Sequence, residues 1–299
     1  MRSDRPSATA TFIARCLVFW AREPFPQRLV GNYALALALA SLRAAGVDER
    51  RWWRLCGIPW MRRVIWTCER WVLPGIVLHY VLRKCAIDHA VRRALAAGCQ
   101  SVVVLAAGFD ALAWRTLRRY PQVQVVEVDH CATQAVKMRA VKYTQKFPLL
   151  RPCDLGTESV AALLDSQQPT VVVAEGLLMY FTEARVSTVL REIASTVAPG
   201  SQVVFTCMTD DRAGRLGFPA GHPLIDRWLA HHREVFRWGI RAAATENTLA
   251  AFLAQNGLRI LAHESADSMM QGFLPQGCRR RSAIGEDVVV AERLFSEAL

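Results

Sequence analysis

Acidic side chains recur where the apolar runs of this chain stop. "SVVVLAA" (101–107), "QVVEVD" (124–129), "FPLLRPCDL" (147–155) and "TVVVAEG" (170–176) each read as a buried strand. At or just beyond their ends stand Asp110, Glu127 with Asp129, Asp154 and Glu175. One loop carboxylate is as well explained by a helix N-cap or a solvated charge, and Asp110 also suits the cap of the helix that follows it. Four such positions at one sheet edge point instead to a ligand. A rim of carboxylates repels phosphate and attracts a cation.

The four positions share an edge only if the strands run parallel, and the spacing between them predicts this. Helices are expected over 110–120, 132–145, 157–165 and 183–197, with a further strand at 201–208. Strands that are apolar throughout, separated by helices, build a parallel sheet covered on both faces. Such a sheet winds right-handedly and binds ligands at the carboxyl ends of its strands. Residues 209–245, which hold His222, His231 and His232, read as a connecting lid. A helix at 247–257 and strands at 258–263 and 286–294 complete the pattern. Residues 8–45 and 50–97 read mostly as helices, with Trp20, Trp52, Trp53, Trp60, Trp66 and Trp71 packing them onto the core. The expected fold class is α/β, a doubly wound, mostly parallel sheet with a helical N-terminal cover. One domain over 1–299 is expected: the cover at 1–97, a cofactor-binding core at 98–208, and the lid with the C-terminal part of the sheet at 209–299.

The turn after the first strand is Ala106-Ala107-Gly108-Phe109-Asp110-Ala111. It lacks two of the three glycines of a dinucleotide fingerprint and sets a carboxylate where a pyrophosphate would lie. S-adenosylmethionine carries an ammonium, a sulfonium and a ribose diol but no phosphate, and suits this turn better. The acid that ends the second strand is then placed to take the ribose hydroxyls, and Asp154 to accept from the adenine amino group.

"VVVLAAGFDALAWRTL", "VVEVDHCATQAVKMRA", the pair Asp154-Leu155 and "VAEGLLMYFTEARVSTVLREIA" together resemble the leucine carboxyl methyltransferase-like family of S-adenosylmethionine-dependent enzymes, in order over about residues 79–199. The resemblance implies a class I methyltransferase-like Rossmann fold and a set of cofactor contacts. Ala106 and Gly108 approach the methionine part, in a loop that ends on Asp110. Asp129 takes the ribose, within an "EVDH" motif that also holds Glu127 and His130. Asp154 and Leu155 frame the adenine, while Glu175, followed by Gly176, faces the methionine ammonium. Arg83, in "YVLR", binds the cofactor carboxylate, for which a planar guanidinium is the expected bidentate partner. The sequence departs from the family at Ala106, where a glycine is usual, at Ala111-Leu112 in place of Thr-Arg, and at Cys131 in place of proline. An alanine with negative φ keeps the loop usable with a tighter fit, and Cys131 only loosens a helix start.

No catalytic residue declares itself. Methyl transfer chiefly demands alignment of the reacting groups and exclusion of water. A carboxylate acceptor is already ionised at neutral pH, whereas a hydroxyl usually needs a base such as histidine. No His-Glu pair or Ser-His-Asp order stands at the strand ends, which favours carboxyl methylation; a base from the lid histidines would serve the hydroxyl alternative. The expected activity is therefore O-methylation of a small-molecule carboxylic acid. Met179 and Tyr180, with Arg212 and Arg237 in or beside the lid, are expected to contact the acceptor. The alternatives are a tRNA- or protein-carboxyl methyltransferase and an inert cofactor-binding protein.

Composition narrows these choices. The 299 residues carry a net charge of +11, yet lysine occurs only at 84, 137, 142 and 146, so the excess is arginine scattered along the chain. No basic run interleaved with aromatics marks a nucleic-acid face. Nine cysteines without a CxxC spacing argue against a metal or disulfide framework and for a reducing cytoplasm. The longest apolar stretches, 33–42 and 71–82, fall short of the roughly 20 residues a membrane-spanning helix needs.

Overall fold

The computed structural model describes residues 7–25, 29–141, 147–164, 167–210, 214–240 and 246–294. Seven strands hydrogen-bond in the order β3-β2-β1-β4-β5-β8-β7, and a two-residue strand β6 flanks the end of β5. The strands are β1 (Ser101–Leu105), β2 (Gln124–Asp129), β3 (Leu149–Pro152), β4 (Thr170–Ala174), β5 (Gln202–Thr209), β6 (Gly239–Ile240), β7 (Leu258–Glu264) and β8 (Glu286–Arg293). Strands β1 to β6 pair in parallel, whereas β8 runs antiparallel to both β5 and β7. The fold is the expected doubly wound, mostly parallel sheet. Its strand order reverses between β1 and β4, so the ligand crevice opens at their carboxyl ends.

Burial on both faces explains why the central strands are apolar without alternation. Val102 and Val104 of β1 pack toward helix α5 (Ile76–Ala96), while Val103 and Leu105 pack on the opposite side with helix α8 (Glu183–Thr196). Each fully buried side chain of this kind contributes about 1.5–3 kcal/mol by leaving water. Helix α5 is buried around most of its circumference, so a charge on it must find partners inside the protein.

The N-terminal cover comprises α1 (Ala8–Trp20), α2 (Asn32–Ala44), α3 (Glu49–Gly57), α4 (Pro59–Val72) and α5. Its tryptophans divide. Trp20 and Trp66 face each other and Phe19 in the core, and Trp52 and Trp53 are half-buried. Trp60 and Trp71 instead lie on the outer face of α4, so the expectation that all six pack inward fails for these two.

Three further segments differ from expectation. The helix expected over 157–165 is reduced to a single tight turn at Ala161–Leu163. There α8 supplies the missing partners: Arg185 donates to the carbonyls of Leu155 and Glu158, and Glu192 accepts from the Val160 amide. The supposed lid contains an ordered helix, α9 (Leu224–His232), and β6. A short helix, α11 (Ala266–Phe273), follows β7 where only connection was expected; helices α6 (Leu112–Arg119) and α10 (Glu246–Gln255) fall where the spacing put them, and α7 (Cys131–Ala140) matches the first part of the helix expected over 132–145, of which 142–145 lie outside the described residues.

Candidate functional site

A cavity of about 1000 Å³ opens at the carboxyl ends of β1 and β4 and continues beneath α1 and α9. The turn that leaves β1 forms its floor. Ala106 has φ +51° and Gly108 φ +50°. The alanine therefore sits in the left-handed region, against the expectation of a negative φ. An L-residue pays roughly 1–2 kcal/mol there, which explains why glycine is the ordinary choice. The turn is held by Asp129, whose two oxygens accept from the amides of Gly108 (2.6 Å) and His130 (2.6 Å). Burial pushes the Asp129 carboxyl up, with those amides opposing it. A carboxylate has about four lone-pair directions, so two remain for a ligand.

Asp110 serves both roles considered for it. One oxygen accepts from the Leu112 amide (3.0 Å) at the start of α6, and the other takes the Lys84 ammonium (2.5 Å). Lys84 also binds Glu175 (2.9 Å), which in turn takes Nε of Arg83 (2.9 Å). Arg83 donates from Nη1 to both carboxylate oxygens of Glu286 at 2.8 and 2.6 Å, while Nη2 lies 2.8 Å from Glu175 and keeps a second N–H for a ligand. His79 closes the chain, with Nε2 at 3.0 Å from Glu286. The Arg83 guanidinium also stands 4.8 Å over the Tyr80 ring. Such stacking and multiple pairing make burial of a guanidinium tolerable.

These contacts sort the titrations. Burial acts most strongly on Asp110 and Glu175, which share Lys84: Asp110 is nevertheless held below the usual carboxylate range by Lys84, while Glu175 stays above it. Burial also pushes Glu286 upward, but Arg83 and His79 overcome it and hold the carboxyl at about 2. Four carboxylates line this part of the cavity, Asp110, Asp129, Glu175 and Glu286, against two cations, Arg83 and Lys84. The wall is left with an excess of negative charge.

Of the residues singled out from sequence, Arg83, Ala106, Gly108, Asp110, Asp129, Glu175, Gly176, Met179 and Tyr180 line the cavity together. Glu127 does not: it is buried behind β2 against Lys137 (2.6 Å). The His130 ring caps α7 through the Ala132 amide, Asp154 is exposed and caps its own turn at Gly156, and Leu155 is a core residue. Arg237 is exposed, contributing its amide to the Met179 carbonyl, and Arg212 lies outside the described residues. Sequence reading missed Lys84, His79 and Glu286. It sought acids at the ends of strands, but β8 is antiparallel, so its first residue, Glu286, lies opposite Met208 at the same edge.

The far half of the cavity differs in kind. Phe12, Leu17, Tyr80, Phe218, Ile225 and Trp228 wall it, with Phe12 edge-on to Tyr80 at 6.1 Å. Glu234 ties it shut by accepting from the Ala8 and Thr9 amides (3.1 and 3.0 Å) and from the Thr9 hydroxyl at the start of α1. A buried carboxylate at a helix N-terminus satisfies amides that the helix itself leaves without partners.

The chain matches the family described as leucine carboxyl methyltransferase over residues 21–194 and belongs to that family of S-adenosylmethionine-dependent methyltransferases. A Frankia alni protein named as a candidate S-adenosyl-L-methionine-dependent methyltransferase is 33% identical, across 56% of this chain and 60% of its own. A Mycobacterium marinum protein with a name of the same kind is 30% identical, across 54% and 52%. The chain thus spans about half to three-fifths of the length of these relatives. Among solved structures, a DUF574 family protein of Streptomyces avermitilis superposes with a TM-score of 0.58 over 85% of this chain and 95% of its own, at 14% identity. A candidate methyltransferase of Thermobifida fusca gives 0.54 over 86% and 94%, at 15% identity. At these identities the likeness is one of fold.

Proposed function

We propose that this chain methylates an oxygen of a small, largely apolar acceptor using S-adenosylmethionine, with a carboxylate as the preferred nucleophile. The observation that carries the reading is the acid-rich wall at the β1–β4 crevice, in a member of a methyltransferase family. The residues fit such a cofactor. Their excess negative charge complements an ammonium and a sulfonium, the free lone pairs of Asp129 suit a diol, and the crevice lacks the glycine cradle a diphosphate needs.

When bound, S-adenosylmethionine supplies a methyl group made electrophilic by its sulfonium. The work of the protein is binding, orientation and dryness. Arg83 would hold the cofactor carboxylate and Glu175 its ammonium, each now braced by the Lys84–Asp110 and Glu286 contacts that fix their rotamers. Asp129 would orient the ribose, and α1 and α9 keep water from the acceptor half. An ionised carboxylate needs no proton removed. Calorimetric titration with S-adenosylmethionine tests the binding step: wild type should bind and Asp129→Ala should bind at least tenfold more weakly. Equal affinities would remove Asp129 from the ribose.

One observation favours a second acceptor, a hydroxyl. His232 lines the cavity, and its Nδ1 lies 2.9 Å from the Trp228 carbonyl, which can only accept. Nδ1 therefore carries a proton, and Nε2 is the ring nitrogen left to face an acceptor. On this reading His232→Ala abolishes methylation of a hydroxyl acceptor, while methylation of carboxylic acids is untouched; mass spectrometry of a panel of both acceptor types separates the two.

A further inference from the structure

Helix α4 has no buried residue although it carries three tryptophans. Its inner side is accounted for by Trp66, which packs on Phe19 and lies under the Arg280 guanidinium. Its outer side is not. Trp60, Val64 and Trp71 fall within about 40° of one another around the helix and are 60%, 45% and 76% exposed. Arg63 and Arg70 stand exposed along one flank of this stripe, and neither has a carboxylate partner among the described residues. The neighbouring helix α3 adds Arg50, Arg51 and Arg54, also exposed. An apolar stripe with tryptophan, edged by arginine, is the composition of a helix that lies in a membrane interface.

The stripe does not stop at the end of α4. The Val72 carbonyl accepts from the His222 amide (2.8 Å), which joins α4 to the segment leading into α9. Val72, Leu224 and Trp228 are exposed on their outer sides and at the same time line the cavity. The apolar surface thus runs from the outside of α4 through the mouth into the acceptor half. A net charge of +11, built almost wholly from arginine, selects a negatively charged partner for it.

We propose that this face, Trp60, Val64 and Trp71 with Arg63 and Arg70, docks on an anionic lipid bilayer, so that the cavity mouth opens toward the membrane and takes up an amphiphilic acceptor from it. The acceptor clause rests on the methyltransferase reading; the docking does not. Docking is measured without cofactor or turnover, so its failure and that of the enzymatic reading are told apart.

The test is co-sedimentation of the full chain with vesicles of phosphatidylcholine alone and of phosphatidylcholine with phosphatidylglycerol in roughly equal parts. The wild type should pellet with the anionic vesicles, release at high salt, and remain in solution with phosphatidylcholine alone. The paired substitution Trp60→Ser with Trp71→Ser, on side chains that no core contact needs, should weaken binding at least tenfold with an unchanged circular dichroism spectrum. Arg63→Gln with Arg70→Gln should weaken it by about thirty-fold, as expected for two arginines near a charged surface. Absence of binding to anionic vesicles, or equal binding by all three proteins, overturns the proposal. So does a wild-type dimer in sedimentation equilibrium that the tryptophan pair abolishes, which would give the face to a second copy of the chain. A fluorescent long-chain fatty acid probes the acceptor clause: saturable binding displaced by long-chain but not short-chain acids is expected, and no binding removes that clause.

Discussion

The two halves of the cavity are built on different physical terms. The half at the β1–β4 crevice is made of charge. Its groups sit on or beside central strands and on the buried helix α5, and they are locked to one another from His79 through Glu286, Arg83, Glu175 and Lys84 to Asp110. The half under α1 and α9 is made of aromatic surface, fastened at one point by Glu234. The first arrangement specifies a ligand by charge and tolerates little change. The second presents apolar walls carried mostly by helices rather than by the sheet. On the function proposed above, the first half would take the cofactor and the second the acceptor.

The comparison can be broken most forcefully at Glu286. Its carboxyl is held down to about 2 against an ordinary 4.5, so the stability it lends is whole above pH 4.5 and is lost as pH falls toward 2. That amounts to on the order of 3 kcal/mol. Denaturant titrations across this range should show the loss in wild type and not in Glu286→Gln. Because Glu175 and Asp129 are pushed the other way by burial, the difference between the two proteins, rather than either curve alone, isolates Glu286.

The aromatic half is probed by Glu234→Ala, which strips the start of α1 of its acceptor. A loss of about 1–3 kcal/mol is expected, the range for leaving partly buried donors without partners. Hydrogen exchange should quicken in α1 while α5 and the central strands keep their protection. If α5 loosens as well, the two halves are not independent. The smallest effect is expected at the turn between them. Ala106→Gly relieves a left-handed alanine at the cost of a more flexible unfolded chain, and a net gain of about 1 kcal/mol or less should appear as a modest rise in Tm.

Much of the charged half could be read from sequence because parallel strands bring their carboxyl ends to one edge, which makes Asp110, Asp129 and Glu175 neighbours without further knowledge. The same rule overreached at Asp154, since β3 lies two strands away from β1 and its end is exposed. It overreached at Glu127 too, because that position precedes the strand end and is covered by Lys137 of α7. It was blind to Glu286, whose strand runs the other way. The aromatic half was scarcely legible: nothing in the periodicity of 209–245 reveals that α9 packs over the crevice, or that Glu234 reaches α1 across 226 residues of chain. Tertiary contact, not local propensity, decides such segments.

The pairing of Arg83 with Glu286 spans 203 residues of sequence. During synthesis the arginine emerges long before this acid, so until β8 is made Arg83 has Glu175 but not Glu286 to pair with. A product cut short before β8 therefore leaves the buried guanidinium of α5 with one of its two carboxylates missing, which favours unfolding and proteolysis over a partial activity.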